Sequence, residues 1–256
     1  MKILHGNFDN LAENYDRFRP GYSQTVKNII LNYVNSSNIK FADVGAGTGI
    51  WTRIVNNDER VASSMAVEPS DNMRKFGENH KDNRSIVWLE GSAEDTKLNE
   101  NSRDLITMAS SFHWANFDKA TKEFHRVLKD DGVFCCLWNP RYINDNQILL
   151  DIEKKVSELN PNVKRVSSGK SKFVEDLTRN FNNNKYFHDL VFVEAQHKVR
   201  MSKDQYIGAW LSVNDIQHQL GDKFENFIEY IKTKIKNEKE IIASYLTRAW
   251  IVKKKN

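Results

Sequence analysis

Three glycines set two residues apart, Gly45, Gly47 and Gly49, follow an apolar run that carries a single acid, Asp43. Without Cβ atoms such a turn can take positive φ, and a ligand can lie against its main chain. A carboxylate two residues before the first glycine can face a cationic amine or hold a water beside one, whereas a pyrophosphate would gain little from it. The spacing decides between the common users of such loops. A dinucleotide fingerprint needs its third glycine three residues after the second, and that position is Ile50. A nucleotide-hydrolysing loop needs Gly-Lys-Ser/Thr at its end, and Gly49 is followed by Ile50 and Trp51. The stretch 41–49 therefore reads as the floor of a site for a nucleoside cofactor that is neither of these.

Further polar residues stand where other apolar runs end. Glu68 lies 25 residues after Asp43, and one carboxylate there can accept both hydroxyls of a ribose cis-diol. The run 104–109 leads into Ser110, Ser111, Phe112, His113 and Trp114. An imidazole with an unperturbed pKa near 6.5 could take a proton from a hydroxyl or an ammonium. Packing between Phe112 and Trp114 is the other reading of His113. Arg141 follows the fifth such run. Trp210, Asn214, Gln217 and His218 recur at helical spacings and are expected on one helix face. Trp114, Trp210, Asn214 and Arg141 are thus candidate substrate contacts, and His218 is the alternative base; Arg165 and Arg248 are open between binding and ordinary ion pairing.

The elements that must position these residues alternate. Strand-like runs at 39–44, 62–68, 85–90, 103–109 and 132–138 enclose helical patterns at 49–57, 71–79 and 117–129, after two helices at 8–20 and 23–35. Such alternation predicts an α/β fold, a doubly wound, mostly parallel, Rossmann-like sheet with helices on both faces. Ligands of such sheets bind at the carboxyl ends of the strands. Beyond Pro140 the pattern predicts helices at 144–159, 171–182, about 202–220 and 222–236, a polar loop at 160–170, and strands at 188–199 and 241–252. The expected layout is a cofactor core over 1–140 and an acceptor side over 141–256. There 141–187 and 203–236 form a helical cover over the carboxyl strand ends, and two last strands complete a seven-stranded sheet.

Composition narrows the class. The 256 residues are 39% hydrophobic and 28% charged, with a net charge of +4, which suits a globular domain rather than disorder or a nucleic-acid binder. The two cysteines, Cys135 and Cys136, are adjacent in a strand-like run and should point to opposite faces, so neither a disulfide nor a metal framework is expected. No apolar run approaches the roughly 20 residues of a membrane helix, and Met1–Phe8 has no signal-peptide core. A cytoplasmic location without membrane or nucleic-acid partners is the expectation.

The stretch 41–49 resembles motif I of the class I S-adenosylmethionine (SAM) methyltransferases. The resemblance implies SAM as cofactor and S-adenosylhomocysteine as product, with Gly45, Ala46 and Gly47 along the methionine part. It implies Glu68, with Pro69, at the ribose and Met73 beside the adenine. Gly91-Ser92-Ala93-Glu94-Asp95 resembles the family's adenine turn, where the backbone of Ala93 meets a ring nitrogen and either Ser92 or Glu94 takes the amine. The strand ending at Ser110 would lie beside the transferable methyl. Phe112-His113-Trp114, together with Tyr15, Arg19, Pro20 and Tyr22, is similar to a small-molecule subgroup, methyltransferase type 11 or trans-aconitate-methyltransferase-like, in which the first helix is a lid and Arg19 can pair with the cofactor's carboxylate. The likeness covers residues 8–140. It implies methyl transfer to a small molecule, O-methylation preferred over N-methylation. Methylation of RNA or protein, a non-catalytic SAM-binding role and a nicotinamide oxidoreductase with an aberrant loop are the alternatives. A carboxylate acceptor would need no general base; a hydroxyl or ammonium would.

Overall fold

A computed structural model describes residues 12–80, 85–164 and 171–255. Phe8 and Leu11 of the first amphipathic pattern, Arg165, and residues 167–169 of the polar loop lie outside the described residues. The elements run α1 (Ala12–Phe18), α2 (Gln24–Tyr33), β1 (Ile39–Val44), α3 (Ile50–Asn56), β2 (Val61–Val67), α4 (Asp71–Glu78), β3 (Ile86–Leu89), β4 (Arg103–Ala109), α5 (Phe117–Val127) and β5 (Leu128–Trp138). They continue with β6 (Arg141–Tyr142), α6 (Gln147–Leu159), α7 (Lys172–Asn182), β7 (Phe187–Met201), α8 (Lys203–Leu211), α9 (Asn214–Leu220), α10 (Phe224–Lys234) and β8 (Ile241–Lys254). Local chemistry sets several starts. The side-chain oxygens of Ser70, Asn116 and Asn146 accept backbone N–H groups in the first turns of α4, α5 and α6. Ser202 and Gln205 form a reciprocal capping box at α8.

β3, β2, β1, β4 and β5 pair in that order, all parallel, and β8 joins β5 antiparallel. β5 pairs with Arg248–Lys253 and β6 with Ser244 and Tyr245, so the two occupy consecutive stretches of one edge of β8. β7 runs along β8 from Ile241 to Lys254 on its other edge. The sheet thus has seven lanes, the Rossmann-like α/β fold that the alternation predicts. Its strand order reverses between β1 and β4, where Asp43 faces Thr107 on one side and Ala66 on the other.

Both faces of the sheet are buried. Ile39 and Phe41 pack with Val26 and Ile30 of α2 and Val55 of α3, while Ala42 and Val44 face a cluster built on Phe112, Phe124, Phe134 and Phe181. Each fully buried side chain of this size contributes about 1.5–3 kcal/mol. Cys135 and Cys136 are both free and buried, one in each cluster, which fits the opposite faces expected of strand neighbours. α7 belongs to the Phe112 cluster through Val174, Leu177 and Phe181. A third cluster joins α6, α8, α9 and α10 to the start of β8.

The helix expected over about 202–220 is two helices. Val213 leaves the helical region (φ −91°, ψ 87°), and Ser212 ends α8 with its N–H on the Gly208 carbonyl. Trp210 is consequently buried against Phe227, ring centroids 5.0 Å apart, while Gln217 and His218 on α9 are exposed. The single face expected for Trp210, Gln217 and His218 does not form; the side chain of Asn214 lies outside the described residues. α1 docks on α8 at Gly208, where a Cβ would stand 2.3 Å from the Phe18 ring. Among the described residues no helix is long and apolar enough to cross a membrane, and no cluster of three or more His, Cys, Asp or Glu could hold a metal.

Candidate functional site

At the strand-order reversal the turn after β1 takes positive φ at all three glycines, +66° at Gly45, +59° at Gly47 and +87° at Gly49. Gly45 is also a close-approach position, since a Cβ there would lie 2.8 Å from the Ser111 side chain. Gly47 is the reverse case: a Cβ would meet nothing within 4 Å, so the loop backbone borders open space there. The N–H groups of Gly45 and Ala46 donate to the Val67 carbonyl, and Gly47 N–H donates to Glu68 Oε2 at 2.7 Å. Glu68 Oε1 accepts from Ser70 N–H at 2.9 Å. The acid is only 7% exposed. Burial raises its pKa, against the lowering effect of those two N–H groups and of Arg74. Pro69 beside it is exposed, and Met73, one turn into α4, is buried.

Asp43 lies behind the loop rather than on its surface. It is fully buried, with Oδ2 accepting from Thr52 Oγ1 at 2.6 Å and Oδ1 from Thr107 Oγ1 at 2.9 Å. Burial pushes its pKa up to about 7; the two hydroxyls oppose this, and the charge of Glu68 adds to it. A direct contact between Asp43 and a cofactor amine would need the loop to part. Its electrostatic reach does not, because a cation over the loop favours the ionised form of both acids.

The turn Ser92–Glu94 closes one side. Ala93 is buried, Ser92 Oγ accepts from Glu94 N–H at 3.3 Å, and Glu94 Oε1 accepts from Asn116 N–H at 2.7 Å. On the other side Ser110 holds a positive φ of +56°, a strained conformation for a residue with a side chain. Its Oγ lies 3.0 Å from the Tyr22 hydroxyl, whose pKa burial raises. His113 is half-buried. Its Nδ1 accepts from Trp138 Nε1–H at 3.3 Å, which leaves the ring proton on Nε2, and Nε2 is buried without a partner. Burial lowers its pKa to about 4. In this geometry the ring offers an N–H where the base reading needs a lone pair. Trp114 is half-buried, its ring centroid 4.6 Å from that of His113.

α1 brings Tyr15 and Arg19 to this end of the sheet, with the Arg19 guanidinium 5.0 Å from the Tyr15 ring centroid. Arg19 spends Nε and Nη2 on Ser212, at 2.9 Å to Oγ and 3.0 Å to the carbonyl, so it ties α1 to the end of α8. Arg53 pairs with Asp16 of α1 and donates to the Thr48 carbonyl at 2.6 Å. Sequence reasoning did not single out Thr52, Thr107, Ser111, Ser212 or Arg53. Hydroxyls at strand and helix ends become legible only once register places them beside the carboxylate or guanidinium they serve. Arg141 and Trp210 meet, the guanidinium 3.8 Å from the indole centroid, and His218 is exposed on α9. Arg248 pairs with Glu194 across β7 and β8 at 3.3 Å.

The fit of a SAM-like cofactor rests on the open space at Gly47 and on two buried acids held beside it. Glu68→Gln would set an amide NH2 against one of the two N–H donors now bonded to the carboxylate. Its affinity for S-adenosylhomocysteine is expected to fall about 10- to 100-fold, the worth of one hydrogen bond to a charged group; an unchanged dissociation constant in calorimetry removes Glu68 from the cofactor site. For Asp43 the folded pKa of about 7 lies above the ordinary 3.8, so the native state holds the proton more tightly. The stability associated with that proton is complete below the ordinary value and is lost as pH rises towards 7. Asp43→Asn mimics the protonated carboxyl. Its melting temperature, measured against the parent protein, should therefore rise between pH 4 and pH 8, by the equivalent of at most about 4 kcal/mol. A pH-independent offset would contradict the shifted titration.

A family profile described as Methyltransferase domain matches residues 42–136. The chain is 29% identical over 150 residues to the ubiquinone/menaquinone biosynthesis C-methyltransferase UbiE of Bartonella quintana, covering 54% of this chain and 58% of that one. It is 32% identical over 136 residues to an uncharacterized methyltransferase of Mycobacterium tuberculosis, with 53% of each chain covered. The chain spans about half the length of the curated relatives it matches. Among solved structures, a candidate type II methyltransferase from Anaeromyxobacter dehalogenans aligns over 91% of this chain and 97% of that one, with a TM-score of 0.68 at 16% identity, a likeness of fold. The glycine turn, the buried acids and the strand-order reversal fall inside the matched span, so it is residues 42–136 that are similar to the methyltransferase domain.

Proposed function

We propose that the protein transfers the methyl group of SAM to a small-molecule acceptor, oxygen being the preferred atom, with the cofactor held by residues of 1–140 and the acceptor met by residues of 141–256. The observation that carries this reading is the meeting, at one reversal of strand order, of the Glu68-anchored glycine loop with the end of β4 at Ser110 and His113. When bound, SAM supplies a sulfonium methyl that is the electrophile of an in-line displacement. The chain's own part is binding, positioning and exclusion of water. Glu68 keeps acceptor capacity for ribose hydroxyls, the Ser92–Glu94 turn faces the base, and α1 with Tyr15 and Arg19 covers the amino-acid end. The resemblance of Phe112-His113-Trp114 to the small-molecule subgroup supports the acceptor class.

The state of His113 bears on the acceptor. A ring whose Nδ1 is engaged by Trp138, and whose pKa burial lowers to about 4, is a poor proton acceptor at neutral pH. That favours an acceptor atom needing no deprotonation, such as a carboxylate oxygen. A carbon acceptor is the second reading, supported by the name of the UbiE relative.

Calorimetry with SAM and S-adenosylhomocysteine tests the cofactor assignment; no binding at several hundred micromolar would overturn it. For His113→Gln, kcat is expected to fall by less than about tenfold and its pH profile to keep the same acidic limb. A loss of about two to four powers of ten together with that limb, the range of a positioned base, would restore His113 as the base.

A further inference from the structure

Three buried polar atoms without hydrogen-bond partners stand in one row across the antiparallel part of the sheet. Arg141 of β6 faces Tyr245 of β8, and Tyr245 faces His197 of β7. Directly opposed residues of antiparallel strands project to the same side. Arg141 Nε, Tyr245 Oη and His197 Nδ1 are each out of solvent and without a well-formed hydrogen bond, the Tyr245 hydroxyl lying near enough to the guanidinium to act on it. Tyr245 is 3% exposed, and the His197 and Tyr245 rings are 5.9 Å apart. Trp210, 1% exposed, lies against the guanidinium at 3.8 Å and walls the row from α8. Among the described residues no carboxylate is paired with Arg141; Glu153 of α6 acts on it through space.

A buried polar atom without a partner costs about 1–3 kcal/mol, and native proteins leave few of them. Three in one row, one of them on a cation, mark a place where a ligand supplies the missing bonds. The chemistry of the row describes that ligand. The guanidinium offers N–H donors in a plane that matches a carboxylate. Tyr245 adds an O–H beside it. His197 donates Nε2–H to the Gly21 carbonyl at 3.2 Å, so its Nδ1 carries a lone pair and complements a ligand O–H. We propose that Arg141, Tyr245 and His197 form an acceptor subsite for a carboxylate that bears a neighbouring hydroxyl, with Trp210 as its apolar wall. Arg141 is three residues past Trp138, the partner of His113, so the subsite lies within about 11 Å of chain from the end of β4 and β5 where methyl transfer is placed. Its role as an acceptor subsite rests on the methyltransferase reading; the existence of the anion site does not.

The test uses the full chain, with and without saturating S-adenosylhomocysteine, titrated in a calorimeter with the 2-hydroxy acids lactate and malate and with their amides, lactamide and malamide. The acids are expected to bind at least about tenfold more tightly than the amides. Arg141→Met should lose that preference, and Tyr245→Phe should weaken acid binding about three- to tenfold, while both keep the parent affinity for S-adenosylhomocysteine. Tyr245→Phe removes an oxygen that makes no well-formed hydrogen bond in the fold, so it is informative even where Arg141→Met fails to fold. Absence of acid binding at 10 mM, equal binding of acids and amides, or undiminished acid binding by both variants would overturn the subsite. Acid binding in a protein that does not bind S-adenosylhomocysteine would keep the anion site and overturn the methyltransferase reading instead.

Discussion

Everything at the cofactor end hangs on one buried carboxylate. Asp43 sits on the central strand at the strand-order reversal, and its two oxygens are claimed by Thr52 from α3 and Thr107 from β4. Three elements are thereby fixed to one point, and the glycine turn between β1 and α3 is held at both of its ends. A fully apolar residue would pack as well, but it would not orient two hydroxyl-bearing elements at once. The cost is a carboxyl group held far from water, and the raised pKa records it. Glu68, close enough to add to that shift, is the second acid of the same cradle. Two buried carboxyls that act on one another favour a cation placed near them, which is the electrostatic complement of a sulfonium-bearing amino acid.

A second constraint couples the ends of the parallel strands to the antiparallel part of the sheet. The segment Gly21–Ser23 lies between them. Its Gly21 carbonyl accepts from Asn139 Nδ2 at 3.0 Å and from His197 Nε2, Ser23 N–H donates to Thr247 Oγ1 at 3.0 Å, and the Tyr22 hydroxyl meets Ser110. Thr247 in turn donates to Asn139 Oδ1 at 2.8 Å. Three residues therefore touch the end of β4 at Ser110, the loop after β5 and the row at His197. α1, which precedes them, is joined to α8 through Arg19 and Ser212. α1 and the segment after it are thus joined by short, directional bonds to α8, to the end of β4 and to the row at His197.

The parallel half was legible because each of its signals is local. The glycine spacing, the acid at the end of the second apolar run and the alternation of periods each sit within a few residues, and β1, α3, β2, α4 and β4 fall where the periodicity puts them. The second half was legible as elements and illegible as a site. Helical spacing from 202 to 220 is real in both α8 and α9, but a break of two residues at Ser212 and Val213 rotates the second helix away. Trp210 turns inward, and Gln217 and His218 turn out. No propensity argument places that break, because Ser212 is held by Arg19, 193 residues away in sequence. His113 shows the same limit in chemical form. Its type and place suggest a base, and only the indole of Trp138, brought in by β5, decides which ring nitrogen keeps the proton.

The antiparallel pairing of β6, β7 and β8 sets the row at Tyr245 apart from the parallel strand ends. In the parallel lanes every residue at a strand end is committed to the loop, the acids or the neighbouring turn. β8 instead runs past the end of β5, and its overhang pairs with β6 on one edge and β7 on the other. The row at Tyr245 is thus a piece of sheet with regular register that carries no cofactor contact. Backbone pairing sets the register of these side chains, and Gly21 and Trp210 fix two of them, His197 and Arg141. A half-buried arginine stacked on a tryptophan at that point contributes little that an apolar pair of similar volume would not contribute to stability. Its retention there, with Nε unbonded, is better accounted for by what it can bind than by what it holds together.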